Sequence, residues 1–131
     1  MLDKAKSFRP LLLLGYADSA YAAQVSRHFR RQGWEVRQAI DGPDVRRLAH
    51  YLAPAAVILD VDLPGQSGWL TAAKLRLDRP GLKIFLVGEH RSESNERLAA
   101  FVGAARFISR HDGPLPLSDE ILGAVKSATV A

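Results

Sequence analysis

The sequence has no cysteine. That absence removes disulfide scaffolds, thiolate zinc sites, iron–sulfur clusters and cysteine nucleophiles together. Long apolar runs are missing as well, so no stretch is predicted to cross or bind a membrane. The four histidines, at 28, 50, 90 and 111, lack metal-ligand spacing. Gly15-Tyr16-Ala17 comes after the first apolar run without the glycine spacing of a dinucleotide loop. No Ser/His/Asp or paired-glutamate arrangement has recognisable spacing, and the chain reads as a non-enzyme. Acidic residues are the scarcer sign, 14 against 18 basic, for a net charge of +4. The excess arginines are spread along the chain rather than gathered into a stripe, which argues against direct nucleic-acid binding.

The residues that are present suffice for one domain. A chain of 131 residues, 47% of them hydrophobic, buries a core without staples and is not a disordered tract. Lys4, Lys6 and Arg9 ahead of Leu11–Leu14 superficially resemble a secretory leader. The apolar run is short and Asp18 interrupts the small residues after it, so it is read as a first buried strand of a cytoplasmic protein. Residues 1–8 are expected to form a flexible tail, 9–127 the domain, and 128–131 a short C-terminal tail.

Short apolar runs alternate with helical periods. Leu11–Leu14 reads as a strand buried on both faces. Tyr21, Val25, His28 and Phe29 give Ser19–Gln32 an amphipathic stripe ended by Gly33. Trp34–Ile40 has apolar residues at 34, 36 and 40 and reads as a strand nearer an edge. Pro43 opens a second helix with Val45, Leu48, Ala49 and Leu52 inward. Ala55–Leu59 is the most buried-looking strand and runs into Asp60. Trp69–Leu77 is the third helix and Lys83–Val87 the fourth strand. Ser94–Val102 is the fourth helix, with Leu98, Phe101 and Val102 expected inward. Arg106–Ser109 is the fifth strand. Ser118 reads as the N-cap of a final helix, with Leu117 and Leu122 spaced as a hydrophobic staple. Five strands alternating with five helices imply a parallel sheet covered on both faces, with its chemistry at the strands' carboxyl ends.

At one of those ends lies Val57-Ile58-Leu59-Asp60-Val61-Asp62-Leu63-Pro64-Gly65-Gln66-Ser67-Gly68. This stretch resembles the phosphoacceptor segment of bacterial response regulator receiver (CheY-like) domains, and the similarity covers about residues 10 to 126. Gly33 stands 27 residues before Asp60, position 88 stands 28 after it, and position 110 a further 22 on, as in that family. Gly103-Ala104 precedes the fifth strand in the family's manner. The resemblance implies a doubly wound (βα)5 flavodoxin-like sandwich with strand order 2-1-3-4-5. It also implies a role in two-component (phosphorelay) signal transduction. Partners would be a histidine kinase, a phosphotransfer protein or an output domain. The face built by the fourth helix, fifth strand and fifth helix would dock partners or a second copy; Leu98–Phe101 and Leu115–Val125 border it.

By the same resemblance, Asp60 is the phosphoacceptor. Two acidic residues at the end of the first strand would hold Mg²⁺ with it, because an anionic nucleophile and a phosphate must be bridged by a hard cation. The sequence departs from that pattern. Tyr16 and Ala17 occupy the acidic-pair positions, leaving Asp18 with Asp60 as a reduced metal set; otherwise Asp18 caps the first helix. Gly88 replaces the hydroxyl residue that would contact phosphate. Arg110 stands at the phosphate-contacting lysine position and keeps the charge but not the shape. Phe107 is at the switch-aromatic position. Tyr16 either fills the cavity meant for metal and phosphate or points to solvent. Glu89 is either a solvated loop charge or a partner of Arg110 or Arg91 that blocks the pocket, and His111 is placed to meet an anion. Two readings are open. In the first, the receiver acts by protein contact and requires no cofactor. In the second, it is a working phosphoacceptor with Mg²⁺ held at Asp18 and Asp60.

Overall fold

A computed structural model describes residues 9–17 and 19–130, with side chains described as far as 124 and not at 19. The tail expected at 1–8, and Asp18, lie outside the described residues. Five strands, β1 (Leu11–Gly15), β2 (Glu35–Ala39), β3 (Ala56–Asp60), β4 (Lys83–Gly88) and β5 (Arg106–Ser109), form one sheet. All neighbours are parallel, in the order β2-β1-β3-β4-β5. The crossovers carry α1 (Ser19–Arg31), α2 (Gly42–Leu52), α3 (Gly68–Asp78) and α4 (Glu93–Phe101). A 3₁₀ turn (Arg110–Asp112) leads from β5 into α5 (Leu115–Val130). This is the parallel sheet covered on both faces that the alternation implies, in the doubly wound flavodoxin-like order that the resemblance implies.

The continuous apolar strands are continuous because both faces are covered. Leu12, Leu14, Ile58, Phe85, Val87 and Ile108 pack with Phe29 of α1 and Ile121 of α5. Leu13, Val57, Leu59, Ile84, Leu86 and Phe107 pack with Val45, Ala72, Leu75 and Ala99 of α2 to α4. Each fully buried aliphatic side chain of this kind contributes about 1.5–3 kcal/mol. Side-chain caps set the helix starts. The Asp41 carboxylate accepts from the Asp44 N–H at 2.8 Å, Ser67 Oγ from Leu70 N–H at 3.2 Å, and Ser92 Oγ from Asn95 N–H at 3.0 Å. Among the described residues, no helix is long and apolar enough to cross a membrane.

Three expectations are corrected. In β2, Trp34 and Val36 are buried as predicted, but Ala39 is the next inward residue and Ile40 lies exposed past the end of the ladder. In α4 the buried residue is Ala99, while Leu98 and Phe101 face out. Successive residues turn by about 100°, so pointing Ala99 at the sheet turns Leu98, one residue away, and Phe101, two away, off it. The third concerns Ser118, which is not a cap. Pro116 fits the first turn, where its missing N–H has no intrahelical partner, so α5 begins at Leu115. Ser118 then sits buried inside the helix and its Oγ accepts from Gln32 Nε2 at 3.3 Å. Leu117 and Leu122 thus belong to one helix and form no staple. The α5 helix extends to Val130.

Candidate functional site at the carboxyl edge of the sheet

The parallel register brings the ends of β1, β3, β4 and β5 to one edge. Gly15 pairs with Leu59, Asp60 with Val87, and Gly88 with Ser109. Tyr16 and Asp60 therefore come level, each one residue beyond the Gly15–Leu59 pair. Asp60 is 7% exposed. One of its oxygens, Oδ1, accepts from the Asp62 N–H at 2.9 Å, so Asp62 acts through its backbone. Val61 N–H donates to Val87 O and Gly68 N–H to Val61 O, both at 3.0 Å, folding the loop after β3 back onto the edge. Gly68 has to be glycine there: a Cβ would run into the Asp60 carbonyl oxygen.

Tyr16 is 1% exposed, so of its two sequence-based readings the buried one is observed. Its N–H donates to Ala39 O at 3.0 Å and its carbonyl accepts from Gln38 Nε2 at 2.7 Å. Its ring lies 5.2 Å from that of Tyr21. Burial, then the neighbouring Tyr16 and Asp112, push the Tyr21 hydroxyl well above the usual phenol range. Ala17 is exposed and offers no ligand.

Across the edge, Arg110 forms an ion pair with Glu89 Oε1, and His111 Nε2 lies 2.9 Å from Glu89 Oε2. Burial works against the Arg110 charge. Hydrogen bonding to Tyr16 and the charges of Glu89 and Asp60 outweigh it and raise its pKa. The hydrogen bond to His111 holds the Glu89 carboxyl below its ordinary range, against a smaller opposing effect of burial and with help from the Arg110 charge. Of the alternatives for Glu89, the structure has the Arg110 pair; Arg91 instead bonds Glu96 at 2.9 Å. Ser109 Oγ donates to Glu89 O at 2.8 Å and accepts from His111 N–H at 3.2 Å, which fixes this small network to the end of β5.

At Gly88 the backbone faces the Phe107 ring. A Cβ built there would lie 2.6 Å from Phe107 Cζ and 3.2 Å from Val61 Cγ2. The ring is buried and stacks on Trp69 of α3, with centroids 5.7 Å apart and planes 9° from parallel. The space that a side chain at 88 would use is filled by Phe107.

The sequence matches the family description of the response regulator receiver domain over residues 17–119. The chain belongs to that family. The receiver is 32% identical over 108 residues to the transcriptional activator protein ExaE of Pseudomonas putida, covering 80% of this chain and 46% of that protein. It is 29% identical over 133 residues to a protein-glutamate methylesterase/protein-glutamine glutaminase of Symbiobacterium thermophilum, covering 94% and 36%. The receiver thus spans less than half the length of these curated relatives. A crystal structure of a receiver domain protein (CheY-like) from Methanospirillum hungatei superposes with a TM-score of 0.82 at 21% identity, over 92% of this chain and 96% of that one. At that identity the likeness establishes the fold.

Receivers of two-component systems are associated with Mg²⁺, a small octahedral cation that takes one or two carboxylates plus further hard oxygens. The described residues do not fit it. Asp60 is the carboxylate described at the ends of β1 and β3, its Oδ1 already accepts a hydrogen bond, and Tyr16 and Arg110 crowd the same edge. No group of three His, Asp or Glu suited to a metal exists among the described residues. The structure also brings in Trp69, Tyr21, Ser109 and Gln38, which the sequence reading did not assign to the site. No local pattern marks them, because each reaches the edge by helix–sheet packing or across strands.

Proposed function

We propose that this receiver acts as a protein-contact module of two-component signalling, with its acceptor pocket occupied by its own side chains and without Mg²⁺-dependent aspartyl phosphorylation. The observation that carries the reading is Tyr16, buried level with Asp60 and bonded to Arg110. A phosphoryl group arriving at Asp60 would need its charge neutralised, and phosphoryl transfer is mostly positioning plus that neutralisation. Arg110, the nearby cation, is already engaged by Glu89 and Tyr16. Gly88 supplies no hydroxyl, and its place is taken by Phe107.

The contact face belongs to the helices. Phe101 is 86% exposed, and Leu98 on α4 and Leu115 at the start of α5 are exposed as well. Exposed apolar side chains of this size suit a partner protein or a second copy. What larger regulator the domain serves, and whether the partner is a kinase, a phosphotransfer protein or an output domain, belongs to the same proposal.

The test is intact-mass spectrometry after incubation with acetyl phosphate and Mg²⁺, beside an Asp60→Asn control, with Mg²⁺ titrated calorimetrically in parallel. No stoichiometric phosphate adduct and no saturable Mg²⁺ binding are expected. An adduct present in the parent and missing from the control would establish the other reading, Asp60 as a working phosphoacceptor.

A further inference from the structure

A cleft of about 580 Å³ opens between the C-terminal halves of α2 and α3. Crossover helices return antiparallel to their strands, so this cleft lies toward the opposite end of the sheet from Asp60. Its floor is apolar, made by the buried Ala49 and Leu75. Two ties hold its walls at a fixed separation. Arg46 of α2 donates through Nε and Nη2 to Asp78 Oδ2 of α3, at 3.2 and 2.8 Å. Arg79, just after α3, donates through Nη2 to the His50 carbonyl at 3.1 Å. The volume falls in the range of small-molecule sites, and the walls need no rearrangement to form it.

The chemistry of the lining selects a ligand class. Arg46 is neutralised by Asp78, and Arg47 by Asp44. Arg79 is tied to a carbonyl and, among the described residues, has no carboxylate at ion-pair distance, so it keeps charge and further N–H donors to offer. Beside it Tyr51 presents an aromatic face that is 73% exposed, its ring set edge-on to His50 at 5.5 Å. An open aromatic ring, an apolar floor and a guanidinium fork together match a planar ring that carries a phosphate. We propose that the α2–α3 cleft binds a nucleoside phosphate, with the base against Tyr51 and the phosphate on Arg79.

Calorimetric titration of the full chain with AMP and GMP tests this. Guanosine serves as base without charge and pyrophosphate as charge without base. At least one nucleotide is expected to bind saturably, with Tyr51→Ala and Arg79→Ala each weakening it about tenfold or more. Guanosine and pyrophosphate should each bind more weakly than that nucleotide by a similar factor. Tyr51 is exposed and Arg79 half-buried, and circular dichroism of both variants checks that they fold. Absence of saturable binding at millimolar nucleotide would overturn the proposal. So would affinity unchanged in both variants, or pyrophosphate binding as tightly as the nucleotide. Loss of binding in Asp60→Asn would place the ligand at the acceptor edge and would also overturn it.

Discussion

A Cβ at position 88 and the Phe107 ring compete for one space, 2.6 Å apart where ordinary contact begins near 3.4 Å. Gly88→Ser is therefore expected to push Phe107 off its Trp69 stack and to cost about 1–3 kcal/mol, the usual range for overpacking. Urea denaturation measures the loss. Trp69 fluorescence, read in a Trp34→Phe background, should shift to longer wavelength as the stack opens. Phe107→Leu, which shortens the ring, should recover part of that stability when combined with Gly88→Ser, a non-additivity expected of residues in contact. Glu89 gives a pH prediction. Its carboxyl is held below the ordinary value of 4.5 in the folded state. A depressed carboxyl contributes stability that is present above the unfolded value and lost as pH falls through the folded one. The melting temperature of the parent should thus exceed that of Glu89→Gln near neutral pH, and the two should converge once pH drops below the depressed value. A gap that persists unchanged into that acid range would contradict the assignment.

At the level of elements, α2 ends with Ala53 in the left-handed region, φ 47° and ψ 61°, while its N–H still bonds Ala49 O at 3.2 Å. An L-residue there carries a Cβ too close to the following carbonyl, which glycine avoids. Ala53→Gly should stabilise the domain by about 0.5–1 kcal/mol, measured by chemical denaturation, after the extra freedom of an unfolded glycine is set against the relief. The elements also show where the sequence was readable. Strand runs such as Ala56–Asp60 were legible because burial on both faces leaves an unbroken apolar string, and Asp60 because its motif is contiguous. The phase of α4 was not. Leu98 and Phe101 look like a buried stripe by composition, and only the close seat of Ala99 against the sheet decides that they face outward. The same reason hid Trp69. Its role depends on which β5 ring meets α3, a matter of packing between distant segments. For Tyr16 and Glu89 the sequence offered two placements each, and the competition was settled by a pairing across loops, Arg110 with both.

For the whole molecule, the alternation of strands and helices made the layer order legible, and the resemblance supplied the strand order. The two outermost strands have a further consequence. On one side β2 turns Glu35, Arg37 and Gln38 toward solvent; on the other β5 is four residues long, curls at once into a 3₁₀ turn, and ties Arg106 to Glu120 of α5 at 3.0 Å. Charged, brief borders of this kind make poor templates for adding a foreign strand, so fibre-like stacking of one sheet onto the next is suppressed. Two copies of this domain that touch at their sheet borders therefore find little backbone to share.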